Sequence, residues 1–250
     1  MNRFNNFSSQ MNVVVVGATG GIGNALIEAL LDEPRVAQIF AFSRCTGNAH
    51  AALCSERVIH GFVDLEKEAS IEQAGKTLRD TPIDLVVVAS GLLHDGNLRP
   101  EKALKQLSQD SLQRVFQINA IAPMLLAKAI LPHMRSDTRS VFGVLSARVG
   151  SISDNRLGGW HSYRSSKSAL NMFLKTAAIG SKMLQPNCVI VGLHPGTVDT
   201  QLSAPFQRNV KPEKLFSPQQ SANYLLDVIS DLIAEDSGKV FAWDGEEIAP

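Results

Sequence analysis

The sequence predicts a doubly wound α/β fold built on a parallel sheet of about seven strands. Short β-branched runs alternate with longer segments of helical period along the chain. Some predicted strands, such as LVVVA at 85–89, are continuously apolar, as is typical of strands buried on both faces. This alternation favours right-handed crossovers, which join neighbouring strands into one parallel sheet.

The elements follow from this pattern in chain order. The predicted strands are 12–17, 36–44, 57–64, 83–91, 140–147, 187–194 and 239–244, and the predicted helices are 21–33, 66–80, 110–134, 160–183 and 217–233. Pro123 lies inside the third helix and predicts a kink there, because proline lacks the backbone N–H that a helix needs. No linker or repeat divides the chain, so we expect a single domain over 12–250 after a flexible polar lead-in at 1–11.

Composition argues against several functional classes. The chain has 24 basic and 24 acidic residues, so it lacks the basic footprint that nucleic-acid binding needs. Its longest apolar runs are strand-sized, and its N-terminus has no apolar signal core. Three scattered cysteines without metal-ligand spacing indicate reduced thiols. We expect a cytoplasmic protein with no nucleic-acid or membrane partner and no catalytic metal.

A glycine-rich turn, GATGGIG, joins the first predicted strand to the first helix. Gly17, Gly21 and Gly23 follow the spacing G-x-x-x-G-x-G, which differs from the strict dinucleotide fingerprint G-x-G-x-x-G. Glycines still permit a tight turn and close backbone approach, and the helix N-terminus offers free N–H groups to a pyrophosphate. A merely flexible turn is the alternative. The context favours a phosphate-binding turn, which also contains Thr19 and Ile22.

The end of the second strand is the expected position of the adenosine ribose. An acidic residue there would select NAD, whereas an arginine accommodates the 2′-phosphate of NADP. The sequence has Ser43 and Arg44 at this point and no carboxylate nearby. A solvated surface charge is the alternative for Arg44. The sequence therefore favours NADP(H), with NAD(H) possible.

Tyr163 and Lys167 lie four residues apart on a predicted helix, so both point to one face, about 6 Å apart along the axis. A free tyrosine has a pKa of about 10 and is a poor base at neutral pH. A nearby ammonium is expected to lower that pKa and so produce a usable acid/base group. The pattern also occurs by chance, and its position after a dinucleotide turn and a mid-sheet strand gives it weight.

Together these motifs resemble the short-chain dehydrogenase/reductase family over nearly the whole chain. The matching segments are GATGGIG, VDL at 63–65, QINA at 117–120, YRSSK at 163–167 and HPGTVDT at 194–200. SARVGSISDNRLGGW resembles most closely the branch named for the cell–cell signalling C-factor. The resemblance implies a Rossmann fold, an NADP(H)-dependent interconversion of a carbonyl and a secondary alcohol, and a homodimer or homotetramer that pairs through the long helices.

The resemblance also implies roles for matching residues. Tyr163 would exchange the substrate proton, Lys167 would hold the nicotinamide ribose and lower the tyrosine pKa, and Asn119 would anchor a water between that lysine and solvent. Further cofactor contacts are implied for Asp64 at the adenine, for Leu65, Ala89 and Gly91 in the cofactor bed, and for Pro195, Gly196, Val198 and Thr200 over the nicotinamide.

The chain departs from the family pattern in two places. Val88-Ala89-Ser90-Gly91 stands where Asn-Asn-Ala-Gly is common, a change that we expect to be tolerated. The serine that polarises the substrate carbonyl corresponds to Ala147, and Ser146 comes one residue early, which in a strand turns it to the opposite face. A bend could re-aim Ser146. The alternatives are Ser151 or Ser153, or no serine equivalent.

That departure keeps a second function open, a nucleotide-binding signalling or scaffold protein of the C-factor type with weak or no catalysis. Other segments could border a substrate. His94 follows a strand end, where a polar turn is the alternative reading, and Trp160 precedes the tyrosine, where packing is the alternative. The long irregular segment 201–216 is typical of a substrate lid.

Overall fold

A seven-stranded parallel sheet forms the centre of the protein in the computed structural model, which describes residues 3–45, 51–96 and 98–250. Its strands are β1 (Met11–Val16), β2 (Val36–Ser43), β3 (Val58–Phe62), β4 (Leu85–Val88), β5 (Ser140–Leu145), β6 (Cys188–His194) and β9 (Val240–Ala242). They are arranged in the order β3-β2-β1-β4-β5-β6-β9. The doubly wound parallel sheet predicted from the sequence is confirmed.

Helices cover both faces of this sheet. They are α1 (Gly21–Leu31), α2 (Glu68–Thr77), α3 (Gln109–Phe116), α4 (Ala122–Ile130), α5 (His161–Ser181) and α6 (Pro218–Asp231). One apolar core lies between the sheet, α1 and α6, and a second lies between the sheet, α2, α4 and α5. Strand residues are buried on both faces, as their continuous apolar runs indicated.

The long helix expected at 110–134 is interrupted. A π-helical turn at Gln117–Ile121 separates α3 from α4, and the Ala122 N–H bonds to the Gln117 carbonyl five residues back. Pro123 follows at once, and its missing N–H explains why the regular pattern breaks here. π-Turns inside helices often mark functional sites. The interruption contains Asn119.

The stretch Gln109–His133 is long and apolar enough to pass a simple test for a membrane span. Several of its apolar side chains, among them Leu126 and Ile130, are fully buried in the second core. Packing inside the domain therefore accounts for its hydropathy.

A second, two-stranded parallel sheet was not expected. It pairs β7 (Thr197–Val198) with β8 (Leu215–Phe216), and the 3₁₀ turns Ala204–Asn209 and Pro212–Lys214 lie between them. Two-residue strands carry no periodicity that a sequence pattern could reveal. This small sheet ties both ends of the predicted lid segment to each other.

The flexible lead-in expected at 1–11 is wrong for residues 3–11, whereas residues 1–2 lie outside the described part of the chain. Phe4 and Phe7 are buried against the first core and contact each other edge to face, with ring centroids 5.2 Å apart. Arg3 bonds to Asp227 at 2.7 Å, and Met11 begins β1. The burial of two aromatic side chains orders this polar segment.

The strand order reverses between β1 and β4. From β1 the chain proceeds to β2 and β3 on one side, and from β4 it proceeds to β5, β6 and β9 on the other. In doubly wound sheets the crevice at such a switch point, at the carboxyl ends of the strands, is where ligands bind. Most of the predicted site residues lie at or just after the carboxyl ends of these strands, whereas Asn119, Tyr163 and Lys167 lie on helical segments.

Candidate active site

The glycine turn between β1 and α1 is built for close backbone approach. Gly17 has a φ of +89°, and a Cβ on it would lie 2.6 Å from Ser90 Oγ. A Cβ on Gly23 would lie only 2.1 Å from the Gly17 carbonyl oxygen. Both positions therefore require glycine, for the turn conformation and for the contact of helix with strand.

No side chain of the first turn of α1 compensates its free N–H groups or its positive dipole end. This turn contains no acidic residue, and its N-cap Gly20 offers no side-chain cap. The first N–H groups of a helix have no partner within the helix, and they carry the positive end of its dipole. Gly21, Ile22 and Gly23 thus fit a phosphate group, as expected from the sequence.

Three of the predicted segments converge on this turn. Ser90, between Ala89 and Gly91 after β4, adjoins Gly17, and the methyl group of Thr200 would lie 2.8 Å from a Cβ on Gly21. Ala89 also donates its N–H to the Val16 carbonyl at 2.8 Å. The ends of β1, β4 and β6 therefore surround one crevice.

The ends of β2 and β3 lie side by side, since the Val63 N–H bonds to the Ser43 carbonyl at 3.0 Å. Ser43 is buried and its hydroxyl donates to the Cys45 carbonyl. Arg44 is exposed, and its positive charge is one cause that lowers the pKa of Asp64, after the Glu66 N–H and Lys67. The hydroxyl of Ser43 thus holds the backbone from Ser43 to Cys45 in place, while the side chain of Arg44 is exposed to solvent.

Asp64 and Leu65 form the next border of the crevice. The Asp64 carboxylate accepts from the Glu66 N–H at 3.1 Å and pairs with Lys67 at 3.1 Å. The Leu65 side chain is buried, and its carbonyl accepts from Gln117 Nε2 at 2.9 Å. That bond joins the end of β3 to the π-turn that contains Asn119.

Tyr163 and Lys167 lie on the inner face of α5, next to the end of β5. Lys167 Nζ donates to the Leu145 carbonyl at 2.7 Å and lies 5.8 Å from the centroid of the Tyr163 ring. Burial raises the pKa of Tyr163 to about 12 and lowers the pKa of Lys167 to about 8. The pKa shift of the tyrosine is opposite to the one expected from the sequence, because burial of the hydroxyl disfavours the charged phenolate.

Gly150 fixes the distance between α5 and the loop after β5. A Cβ on Gly150 would lie 2.8 Å from Lys167 Cβ, and the Gly150 carbonyl accepts from Ser168 Oγ at 2.6 Å. Sequence reasoning missed this residue, because only the packed structure shows the close contact. It holds the lysine-bearing turn against the sheet.

Asn119 is fully buried, and both the oxygen and the nitrogen of its side-chain amide form hydrogen bonds. Its Oδ1 accepts from the Leu92 N–H at 2.8 Å, and its Nδ2 donates to the Leu92 carbonyl at 2.8 Å and to Ser166 Oγ at 3.2 Å. A Cβ on Gly91 would lie 3.7 Å from Asn119 Oδ1 and 4.0 Å from Lys167 Nζ. The amide thus joins the loop after β4 to α5, and its water-anchoring role stays a prediction.

The Ser146 hydroxyl, a candidate for polarising the substrate carbonyl, is bonded to helix α5 instead. This hydroxyl is buried and donates to Asn171 Oδ1 at 2.6 Å, two turns further along α5 than Tyr163. Ala147 has extended backbone and a buried methyl group. Because adjacent residues of an extended chain face opposite ways, an orientation of Ser146 opposite to that of Ala147 stays a prediction. Its hydroxyl holds α5, and a catalytic role has no support from this contact.

The hydroxyl groups of the two other candidates, Ser151 and Ser153, also form hydrogen bonds within the protein. Ser153 Oγ donates to an oxygen of Pro250 at 2.6 Å, and Ser151 Oγ lies 3.3 Å from Ser153 Oγ and accepts from the Asp154 N–H at 3.1 Å. These bonds tie the loop after β5 to the C-terminal residue.

The segment after β6 is held from two sides. Ser221 Oγ of α6 donates to the Pro195 carbonyl at 2.9 Å, and Gly196 packs closely on the ring of Phe216. Val198 is buried within β7, and the Thr200 N–H bonds to Ser203 Oγ at 3.3 Å. The segment from Pro195 to Thr200, which was predicted to lie over the nicotinamide, is thus held in place beside the glycine turn.

An aromatic wall of three rings, His94, Trp160 and Phe206, borders Tyr163. Trp160 lies 6.2 Å from Tyr163 and 4.9 Å from Phe206 between ring centroids, and His94 lies 5.6 Å from Phe206. His94 Nε2 also lies 3.1 Å from the Gln201 carbonyl. The wall connects the predicted lid to the catalytic helix. Sequence reasoning missed Phe206, because its segment has no periodic pattern.

Metal-ligating side chains do not gather at this site. Within residues 3–45, 51–96 and 98–250, no three His, Cys, Asp or Glu side chains are grouped so that they could hold a metal ion.

The chain is similar to proteins of one family over most of its length. Residues 11–211 match the short chain dehydrogenase family. A 1-hydroxy-2-glutathionyl-2-methyl-3-butene dehydrogenase of Rhodococcus is 29% identical over 233 residues, 93% of this chain and 96% of the relative. The C-signal protein of Myxococcus xanthus is 32% identical over 146 residues, 58% of this chain and 82% of the relative. The NADPH-bound carbonyl reductase from chicken fatty liver superposes with a TM-score of 0.81 at 23% identity, covering 98% of this chain and 97% of that one.

Fold and site together define an oxidoreductase on a Rossmann sheet. The chain belongs to the short chain dehydrogenase family, and the resemblance inferred from its motifs is confirmed.

Proposed function

We propose that this enzyme interconverts a carbonyl and a secondary alcohol with NADP(H) as the hydride carrier, on a small-molecule substrate. The observation that carries the proposal is the placement of Tyr163 and Lys167 beside Gly91 and Asn119, in the crevice that the glycine turn closes. Acid/base and phosphate-binding groups thus share one site.

Tyr163 is the proposed donor and acceptor of the substrate proton. With a pKa of about 12, its hydroxyl is protonated at neutral pH and can donate to the carbonyl oxygen during reduction. In the oxidative direction it takes that proton back. Lys167, with a pKa of about 8, carries its charge at neutral pH and stabilises the phenolate that remains after donation. Burial of both groups strengthens this interaction.

The residues of the crevice fit a dinucleotide. The N-terminus of α1 and the turn from Gly17 to Gly23 would hold the pyrophosphate, and Arg44 would pair with a 2′-phosphate. When bound, the nicotinamide supplies the hydride. The chicken carbonyl reductase of the same fold binds NADPH, which agrees with the choice made from Arg44.

Turnover of carbonyl compounds tests the proposal. Purified protein is mixed with NADPH and a panel of aldehydes and ketones, and the loss of the reduced-nicotinamide absorbance is followed. We expect consumption of NADPH that depends on the carbonyl. Absence of turnover across the panel, with NADPH bound, would contradict the proposal.

Replacement of Arg44 tests the choice of cofactor. Arg44→Ala is expected to raise the KM for NADPH by about 10- to 100-fold, because a charge-assisted bond contributes roughly 1.5–3 kcal/mol, while the KM for NADH changes little. Arg79→Ala, at an equally exposed position near the end of α2, is the matched control. Equal KM changes for both cofactors would show that Arg44 does not read the 2′-phosphate.

A binding protein of the C-factor type with weak or no catalysis is the second candidate. Ala147 favours it, because the position that polarises the carbonyl has no hydroxyl and Ser146 is engaged with Asn171. The C-signal protein of Myxococcus xanthus is among the relatives. Tight NADPH binding without turnover would support this candidate and contradict the first.

We also propose that the chain forms a homodimer or homotetramer through its long helices. Met172 and Ile179 are exposed on α5, two turns apart on one face, and Phe173 adjoins them. Exposed apolar patches of this kind mark interfaces. Light scattering is expected to give a multiple of the 27.1 kDa chain mass, and Met172→Lys is expected to shift it towards the monomer. A monomer in the unsubstituted protein would refute the proposal.

The cytoplasmic location expected from the sequence stays a prediction. Cell fractionation with an antibody against the chain tests it.

A further inference from the structure

Glu101 is a buried acid that the proposed mechanism does not use. It lies in the segment between β4 and α3, and 3% of its surface is exposed. A buried carboxylate is costly unless hydrogen bonds or charges compensate for its lost water. Its partners therefore indicate what the residue does.

Within the described part of the chain, the hydrogen bonds that Glu101 accepts all come from the start of α5. Its Oε2 accepts from the Ser162 N–H at 3.1 Å, and its Oε1 accepts from the Ser162 hydroxyl. Its backbone carbonyl accepts from the Trp160 N–H at 2.5 Å. Glu101, sixty-one positions away in sequence from Ser162, thus holds Ser162 and Trp160, one and three residues before Tyr163.

The start of α5 has no cap of its own. The N-cap residue Trp160 makes no side-chain cap, and the first turn contains no acidic residue. Gly158, Gly159 and Trp160 have φ values of 61°, 65° and 50° in succession. A left-handed conformation costs free energy for a residue with a Cβ, so outside contacts must hold Trp160 in place. Glu101 supplies both the missing acceptor and a negative charge at the positive helix end.

We propose that Glu101 is a positioning residue that sets the place of Tyr163 and Trp160 at the active site. Ser162, which its carboxylate binds, directly precedes Tyr163, and Trp160 borders the tyrosine ring at 6.2 Å. Displacement of the first turn of α5 moves the proton donor relative to the substrate. The proposal rests on the proposed function, because it assigns Glu101 to the reaction of Tyr163.

Two variants and a matched control test this role. Glu101→Ala removes the carboxylate, whereas Glu101→Gln keeps the shape and one acceptor oxygen. Ser108→Ala removes the side-chain cap of another helix, the one that accepts from the Ser111 N–H at the start of α3. For each protein we measure kcat with NADPH and a carbonyl substrate, the NADPH affinity by fluorescence titration, and backbone hydrogen exchange over residues 158–166.

Glu101→Ala is expected to lower kcat by about 10- to 100-fold, because small displacements of a reacting group have effects of this size. NADPH affinity should stay near that of the unsubstituted protein, and exchange should rise over 158–166. Glu101→Gln should restore part of kcat, and Ser108→Ala should keep it. If Glu101→Ala does not fold, the Gln variant is expected to show the same pattern in weaker form.

Unchanged kcat and unchanged exchange in Glu101→Ala would overturn the proposal. Equal losses of kcat in Glu101→Ala and Ser108→Ala would overturn it as well, since they would show a general loss of stability. If the unsubstituted protein reduces no carbonyl, the proposed function fails, and hydrogen exchange alone then decides: faster exchange confined to 158–166 supports the cap, and unchanged exchange refutes it.

Discussion

Replacement of Tyr163 by phenylalanine is expected to lower kcat by about 10²–10⁴-fold, the usual contribution of a general acid. The ring remains, so its edge contact with Trp160 and the fold should persist. Only the proton donor is lost, and NADPH should bind as before. Steady-state kinetics and a fluorescence titration of NADPH measure the two effects separately.

The pH dependence sharpens this prediction. The hydroxyl of Tyr163 stays protonated up to about pH 12, so it does not limit reduction in the neutral range. Lys167 loses its charge as the pH rises through about 8, and kcat should fall there.

Thr176→Ala is the control for Tyr163→Phe. It lies on the same helix, removes a hydroxyl that is bonded to the Met172 carbonyl, and should keep activity. Undiminished kcat in Tyr163→Phe would remove the tyrosine from the mechanism.

Replacement of Gly23 by alanine is expected to destabilise the protein by about 3 kcal/mol, near the upper end of overpacking effects. The new Cβ would lie 2.1 Å from the Gly17 carbonyl oxygen, and this neighbour is backbone that cannot rotate away. Helix α1 must then shift from β1, which also separates its N–H groups from a bound phosphate. Urea unfolding should show the loss of stability, and titration should show weaker NADPH binding.

Gly180→Ala is the matched control for this substitution. Gly180 lies in α5, and apart from the backbone of its own helix no heavy atom of the described residues lies within 4 Å of the place that a Cβ would take, so alanine should keep stability or raise it by up to about 1 kcal/mol. Gly23→Ala with the stability and NADPH affinity of the unsubstituted chain would contradict the assignment of the turn.

The elements that the sequence predicted correctly depend on local backbone physics. The apolar runs of β1 and β4 reveal burial on both faces, and the glycine spacing at Gly17 to Gly23 reveals a close approach. Such features are encoded within a few residues.

The features that were missed depend on distant partners. Phe4 looks like part of a polar tail until the core that receives it is known, and Glu101 looks like a loop charge until α5 is placed beside it. The pKa of Tyr163 was expected to fall, since spacing alone showed the lysine and gave no measure of burial. Tertiary packing decides all of these cases, and no sequence period records it.

Transfer of hydride from NADPH to a carbonyl carbon is the central claim, and an isotope experiment tests it most directly. The protein is given a carbonyl substrate and NADPH that carries deuterium at the transferable position of nicotinamide C4, and the alcohol is analysed by mass spectrometry. We expect an alcohol with one deuterium on its carbinol carbon, formed at a much lower rate by Tyr163→Phe. NADPH that binds while no labelled alcohol forms from any carbonyl of the panel would contradict it.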